Sequence, residues 1–361
     1  MINKPSVEDN IRLTVHTDIS AIKHNILKIR DIIGGRRLVA MVKADAYNHG
    51  MALCNHIEEL VDAFGVSTAE EGVFLRKAGI IKDIKVVAIE EKDIPLAASF
   101  DLTAVIPDIK CLKAAAKQGA FLECDLKLDS GMNRLGINTE ERLREAIKII
   151  DKNANICVSG LFTHFSFTDY RNLLKQAQRF DALSAIYIRE KGSVNKSCAA
   201  SAGLCCGQRF LYDEVRAGLA LYGYMPSRIN FGLPLRKAMS VTVPIMAIKN
   251  VAKGEKIGYG GLYVADKDVK IGIIRGGYFD GISRAAAGMR VYVNGQETQL
   301  IGSVCMDLSF VLLDGIKADV GDNVILLGEE NDARAYARRC RTIPYEVLTS
   351  FKGRINRIYY L

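Results

Sequence analysis

The sequence predicts an α/β fold, a (β/α)8 barrel of TIM type followed by a C-terminal antiparallel β domain. From about residue 12 to 223, eight short β-branched runs alternate with helical patterns. Beyond Gly223 the pattern changes to strands at short intervals separated by turn signals. A length of 361 residues suits one barrel of roughly 250 residues with a smaller partner.

The elements follow in order. Ile22, Ile26, Ile29 and Ile33 recur at helical spacing after Asp18, a candidate cap, and Gly34-Gly35 stops the run. Strand-like runs come next at Arg37 to Lys43, Ala63 to Ser67, Ile84 to Ala88, Leu102 to Ile106, Phe121 to Leu128, Ile156 to Phe165, Val194 to Ala199 and Glu214 to Tyr222. Helical segments such as Glu140 to Asp151 and Asn172 to Glu190 separate them, as buried parallel strands require. Further strands are expected at Val241 to Ile248, Val269 to Ile274, Val291 to Val293, Leu300 to Val304, Asp307 to Leu313 and Asn323 to Leu327, with Asn294-Gly295 as a hairpin turn. A late helix starts at Pro344. The polar stretch Met225 to Pro234 reads as the linker, which places a barrel domain at 10–230 and a β domain at 231–361.

Composition narrows the function classes. With 49% hydrophobic and 25% charged residues the chain buries an ordinary core without help from metals or disulfides. Charge interrupts every apolar stretch before the ~20 residues of a bilayer span, and residues 1–10 lack an apolar signal core. A cytoplasmic protein with no membrane partner is expected. The nine cysteines follow no metal-ligand spacing, and Cys205-Cys206 are neighbours, so free thiols and no metal are expected. The net charge of +8 is spread among 41 acidic residues. The densest basic stretch, Arg334 to Arg357, has no accompanying nucleic-acid motif, which points to a solvated face rather than a nucleic-acid partner.

In barrels of this kind the reactive groups sit at the C-terminal ends of strands. Lys43 ends the first strand, Lys127 to Arg134 the fifth, His164 the sixth, and Ser201 follows the seventh; Arg216, Gly218 and Leu219 belong to the eighth. Taken singly, each has a bland explanation. A lysine can snorkel to water, a histidine can pack in the core, an arginine can form a surface ion pair and a glycine can serve a turn. The chemical alternative for Lys43 is a desolvated amine, whose lowered pKa frees the lone pair to form a Schiff base.

The decapeptide Met41 to Gly50 (MVKADAYNHG) resembles the pyridoxal-phosphate lysine motif of the alanine racemase family. Seven further blocks recur in the family's order: KLDSGMNRLG at 127–136, LFTHF at 161–165, AASA at 199–202, VRAGLALYG at 215–223, IGYG at 257–260, GYFDG at 277–281 and GSVCMD at 302–307. The resemblance spans nearly the whole chain. It implies an amino-acid racemase using pyridoxal 5′-phosphate, with Lys43 joined to the cofactor and acting as one base. Tyr259, given by a partner subunit in a homodimer, is then the second base on the opposite face. The same resemblance assigns His164 and Arg216 to a relay towards that tyrosine and the cofactor, Arg216 facing the pyridine nitrogen. Tyr47, Ser201, Gly218 and Leu219 match phosphate-binding positions. Arg134, Met306 and Tyr278 match substrate-side positions, Tyr278 at the entrance, and Lys127 matches a lysine the family often carbamylates. Alanine is the substrate implied, with D-alanine supplied to bacterial wall synthesis, and serine is the second candidate.

The chain also departs from the family's commoner pattern. Asp45 stands for the usual Asn and Asn48 for the usual Gly, and little damage is expected from either short polar residue. Gly353 stands where many relatives carry a tyrosine, which predicts a roomier pocket unless Phe351 or Tyr359 substitutes. Two rivals remain open at this stage. An amino-acid decarboxylase of the same two-domain plan would place an acidic residue where Arg216 stands, and a non-catalytic pyridoxal-phosphate-binding protein would lack the β domain.

Overall fold

The computed structural model describes residues 12–166, 169–226 and 232–361. Its chain divides into two compact units, one of residues 21–46 and 51–236, the other of residues 237–361 with the N-terminal segment to residue 20 and residues 47–50. The first strand, β1 (Thr14–Asp18), thus belongs to the second unit.

Eight parallel strands close the barrel of the first unit: β2 (Arg37–Met41), β3 (Ala63–Val66), β4 (Asp83–Val86), β5 (Thr103–Ile106), β6 (Leu122–Lys127), β7 (Ile156–Phe162), β8 (Asn195–Ala200) and β9 (Glu214–Ala217). Each pairs with the next, and β2 pairs with β9. All eight coincide with strands expected from the sequence. β3 and β5 are buried at every residue, as expected for parallel strands covered on both faces, Thr103 being the one polar side chain among them. The helices show the complementary pattern. Helix 140–151 has the bounds its sequence predicts and buries Leu143, Ala146, Ile147 and Ile150, while Thr139 caps it by accepting from the Arg142 N–H. The first helix starts at Ile19, before the periodic isoleucines, and stops at Gly34, whose φ of +61° is left-handed.

A charged layer crosses the barrel interior. Lys85 Nζ lies 2.8 Å from Asp125 Oδ2 and 2.9 Å from Glu214 Oε2, and all three residues are buried. Asp125 packs so closely on β7 that a Cβ at Gly160 would stand 2.5 Å from its Oδ1. Arg216 follows Glu214 by two residues on β9 and so shares its face of the strand.

The second unit is built on β10 (Met239–Val251), β11 (Lys256–Ile257), β12 (Tyr263–Val264), β13 (Val269–Ile274), β14 (Arg290–Val293), β15 (Gln296–Ile301), β16 (Ser309–Leu312), β17 (Asn323–Leu327) and β18 (Asn356–Tyr360). Its main sheet runs β13-β16-β15-β14-β17-β10-β1-β18, and the 13-residue β10 pairs with β13 as well as β17, so the sheet curls back on itself. Asn294 and Gly295, both left-handed at φ +49° and +77°, make the expected hairpin between β14 and β15. Four strands were not legible as such in the sequence: β1, antiparallel to β10, β18, parallel to β1, and the two-residue strands β11 and β12, which pair with each other. The ladders of β1 with β10 and β18 are why the N-terminal strand groups with the second unit. The expected linker falls largely on residues 227–231, outside the described residues, as does the segment 1–10. Among the described residues no helix is long and apolar enough to cross a membrane.

Replacing one partner of a buried charge cluster strands the others, so Lys85→Met, which removes the cation nearest to Asp125 and Glu214 and leaves Glu214 only the more distant Arg37 Nε at 3.8 Å, is expected to lower stability by about 3–5 kcal/mol. Urea unfolding checks this, and a loss below about 1 kcal/mol would mean that water reaches the layer.

Candidate active site

β2 delivers Lys43 to the C-terminal mouth of the barrel. The Val42 N–H donates to the Gly65 carbonyl at 2.8 Å, keeping the chain in the barrel ladder up to the lysine. The backbone then turns left-handed for five consecutive non-glycine residues, Ala44 to Asn48, with φ between +52° and +67°. Each such residue costs roughly 1–2 kcal/mol, so the turn needs support. The Ala46 N–H donates to the Val42 carbonyl at 2.7 Å, Asp45 Oδ1 accepts from the Met51 N–H at 2.9 Å, and Glu71 Oε1 accepts from the Ala44 N–H at 2.7 Å. Asn48 sits at φ +67°, a conformation open to asparagine as well as glycine, which accounts for its tolerance here. Its side chain donates to the carbonyls of Leu348 and Phe351.

The loop after β6 is wound about Asp129, whose Oδ1 accepts the N–H groups of Gly131, Met132 and Asn133 at 2.9–3.1 Å. Gly136 closes the loop at φ +133°, where a Cβ would lie 2.6 Å from the Asp129 nitrogen. Arg134 is carried exposed on this loop, and Lys127 is buried at the strand end. Burial, reinforced by Arg134, Arg216 and Lys43, pushes the Lys127 amine down to about 8. The centroid of the Phe162 ring lies 3.8 Å from Arg216 Cζ and 5.5 Å from Lys127 Nζ, so one aromatic ring serves both cations.

Arg216 is held by fixed acceptors. Nη1 donates to Ser197 Oγ at 2.5 Å, and Nη2 donates to the carbonyls of Thr163 at 2.6 Å and Cys198 at 3.0 Å. None of these partners is His164. Burial first, then Arg216, Arg134, Lys127 and Lys43, lowers the imidazole of His164 to about 3, so it is neutral at physiological pH. Ser201 Oγ accepts from the N–H groups of Gly218 at 3.0 Å and Ala220 at 3.1 Å. With its acceptor side filled in this way, the hydroxyl proton remains available to an anion.

Tyr259, Tyr278 and Met306 all belong to the second unit. Ser303 Oγ donates to the Tyr259 carbonyl at 2.6 Å, while the N–H groups of Tyr278 and Phe279 donate to the carbonyls of Cys305 and Met306. One loop, 303–306, therefore fixes all three. Gly277 is needed for this approach, because a Cβ there would lie 2.2 Å from the Met306 oxygen. Tyr259, Tyr278 and Met306 are exposed at 76%, 44% and 52%. Tyr47 falls in the segment grouped with this unit and is buried beside Tyr345, at 6.1 Å between ring centroids.

The expectation at Gly353 changes. Its φ is +87°, and a Cβ there would meet Phe279 Cε1 at 2.9 Å and the Phe279 carbonyl at 3.0 Å. Turn geometry selects glycine, so the exchange for a tyrosine is not a simple enlargement of a pocket. Neither named substitute is free to act: Phe351 is fully buried against Tyr336, and the Tyr359 hydroxyl closes on Gly50. The adjacent Arg354 bridges Asp280 at 3.2 Å and Asp307 at 2.5 Å.

The barrel thus brings Lys43, Lys127, Arg134, His164 and Arg216 within electrostatic reach of one another and binds Ser201 to Gly218. The donors fit pyridoxal 5′-phosphate: an amine of lowered pKa for its aldehyde, a hydroxyl and small-residue turn for its phosphate, and cations for its charge. Sequence reasoning missed three supporting residues, Glu71, Asp129 and Ala220. Asp129 had a signal, an acidic residue opening a glycine-containing loop; the other two act through backbone contacts that no short motif spells out.

Two family profiles cover most of the chain, "Alanine racemase, N-terminal domain" at residues 17–226 and "Alanine racemase, C-terminal domain" at 238–359. The alanine racemase of Pasteurella multocida is 35% identical over 349 residues, covering 93% of this chain and 95% of the relative. Alanine racemase 1 of Bacillus subtilis is 34% identical, covering 99% and 95%. The crystal structure of the alanine racemase from E. faecalis matches at TM-score 0.91 and 31% identity over 97% of this chain and 98% of that one. The Bacillus anthracis enzyme with bound L-Ala-P matches at 0.92 and 28% over 99% and 96%.

A lysine whose folded-state pKa lies near 8, below its ordinary value near 10.5, opposes folding below pH 8, and the penalty fades as pH rises towards 10.5. Lys127→Met is therefore expected to raise the melting temperature of the cofactor-free protein at pH 7 and to leave it unchanged near pH 10.5. An equal change at both values would trace the effect to packing.

Proposed function

The chain belongs to the alanine racemase family, and from that premise we propose that it interconverts L- and D-alanine with Lys43 and Tyr259 as opposed bases. The observation that carries this reading is the convergence of Lys43, Lys127, Arg134 and Arg216 at one barrel mouth. Such a cluster suits a dianionic phosphate and a substrate carboxylate together. Arg216 argues against the decarboxylase reading, the presence of a β domain carrying Tyr259 argues against the carrier reading, and the relatives favour alanine over serine.

Pyridoxal 5′-phosphate, when bound, supplies an electron-withdrawing ring conjugated with the substrate nitrogen, which eases departure of the α-proton. Lys43 is half-buried, and burial, with Arg134 adding to it, lowers its amine from the ordinary value, so a free lone pair is accessible for taking that proton. Inversion needs a proton delivered to the opposite face, the role of the Tyr259 hydroxyl. Arg216 keeps its own protons, since a guanidinium does not release one to a pyridine nitrogen; this limits charge build-up on the ring and favours prompt reprotonation. His164, neutral at physiological pH, adds no charge to the cluster and does not serve as an acid. Ser201, Gly218, Leu219 and Tyr47 hold the phosphate end. Arg134, Met306 and Tyr278 hold the substrate side. A neutral Lys127 amine can add carbon dioxide with loss of a proton, and the carbamate so formed would turn one cation of the cluster into an anion beside Arg134.

We assign Tyr259, Tyr278 and Met306 to the site of a second copy, which makes the active protein a homodimer. Their exposure, together with that of Leu262, Val264 and Phe279, gives the second unit an apolar surface of the kind that interfaces cover. The nine free cysteines suit a reducing, cytoplasmic setting, and the family resemblance supplies the expectation that D-alanine serves wall synthesis.

In heavy water with added cofactor, the wild-type protein is expected to convert L-alanine to D-alanine with deuterium at the α-carbon. Tyr259→Phe should lose roughly 10²–10⁴-fold in racemisation while still exchanging the α-proton of one enantiomer. Equal loss of exchange and racemisation would remove the two-base assignment. Leu262→Glu is expected to shift sedimentation from dimer to monomer and to abolish turnover without releasing cofactor; a fully active monomer would refute the shared site.

A further inference from the structure

Glu71 lies outside every motif that carries the family resemblance, yet it is tied to the residue after Lys43. It belongs to helix 69–77, where Thr68 and Glu71 form a reciprocal capping box. One carboxylate oxygen, Oε2, is spent on that cap, accepting from the N–H groups of Ser67 at 2.7 Å and Thr68 at 3.4 Å. The other, Oε1, reaches across to the Ala44 N–H at 2.7 Å. A cap requires only the first set of bonds. The second ties the end of β3, through helix 69–77, to the first residue of the left-handed turn. Ordinary strand continuation would take Ala44 elsewhere, so this bond helps to select the conformation that presents Lys43.

We propose that Glu71 is a positioning residue for Lys43: its carboxylate fixes the backbone immediately after the lysine and supplies negative charge against the cations around the amine. This rests on the reading of Lys43 as the cofactor-bearing base. The charged and titratable groups facing Lys43 come from three other elements, Arg134 and Lys127 at the end of β6 and its loop, His164 after β7, and Glu71 on helix 69–77. The first two are cations and His164 is neutral, whereas Glu71 acts in the opposite sense, favouring the protonated amine. Its removal must therefore lower the pH at which Lys43 becomes a free nucleophile.

The test uses the full-length protein freed of cofactor, exposed briefly to pyridoxal 5′-phosphate across a pH series, reduced with borohydride and read by peptide mass at Lys43. Wild type, Glu71→Gln and Glu71→Asp are compared, with melting temperatures recorded alongside. The expected result is a midpoint lowered by roughly half a pH unit in Glu71→Gln, equivalent to about threefold faster trapping below the midpoint, and a midpoint near wild type in Glu71→Asp. An unmoved midpoint in Glu71→Gln, with Lys43 labelled normally and only the melting temperature reduced, overturns the proposal and leaves Glu71 as a helix cap. Label on a lysine other than Lys43 in the wild type overturns the functional reading, and this inference with it, a failure distinct from the first because it appears before any variant is made.

Discussion

Bringing four cationic side chains to one barrel mouth is electrostatically unfavourable, and several features of the fold are consequences of that constraint. Burial first, and then the neighbouring cations, lower the proton affinity of Lys43, Lys127 and His164. The lysines and the histidine give way: Lys127 falls to about 8 and His164 to about 3, whereas a guanidinium keeps its charge. The cluster thereby sorts its members into permanent cations, which can hold phosphate and carboxylate, and adjustable groups, which can exchange protons. That division of labour is what a proton-transfer site with anionic ligands requires.

The second constraint is backbone strain. A left-handed run of five non-glycine residues follows Lys43, and its cost is met by hydrogen bonds to the Val42 carbonyl and to the carboxylates of Asp45 and Glu71. Strain of this kind persists where surrounding structure over-determines it, and it fixes the lysine's direction more firmly than a flexible glycine loop would. The asparagine at 48 fits the same logic, since it accepts the left-handed conformation while its side chain anchors the carbonyls of Leu348 and Phe351.

The barrel was legible because its signal is local and repeated: eight apolar runs, each flanked by helical periodicity, reappear as β2 to β9 with boundaries moved by only a few residues. β1 and β18 were not legible, because a five-residue strand such as TVHTD becomes a strand through partners more than two hundred residues away. For the same reason the linker gave no sign that β1 groups with the second unit. Within the candidate site, side chains inside motif blocks could be named from sequence, while Glu71 and Ala220 could not, since their contribution lies in which backbone amide they meet or offer. Gly353 shows a local reason that the sequence did not display: its own φ and the nearness of Phe279 favour glycine there.

Arg216 links the reactive mouth to the stabilising interior. Its guanidinium is anchored by Ser197 and by two carbonyls on β8 and just beyond β7, so it cannot swing to follow a ligand. Burial works against its charge, and the two carboxylates below, Glu214 and Asp125, work for it. Those carboxylates are shared with Lys85, and Glu214 also with Arg37, whose Nε lies 3.8 Å from it. Placing the arginine two residues beyond Glu214 on the same strand face lets one short sequence, EVRA, carry both the counter-charge and the group it supports. An acidic residue at position 216 would set a third carboxylate near Asp125 and Glu214 instead of a cation, so the interior of this barrel already favours the arginine on which the proposed chemistry depends.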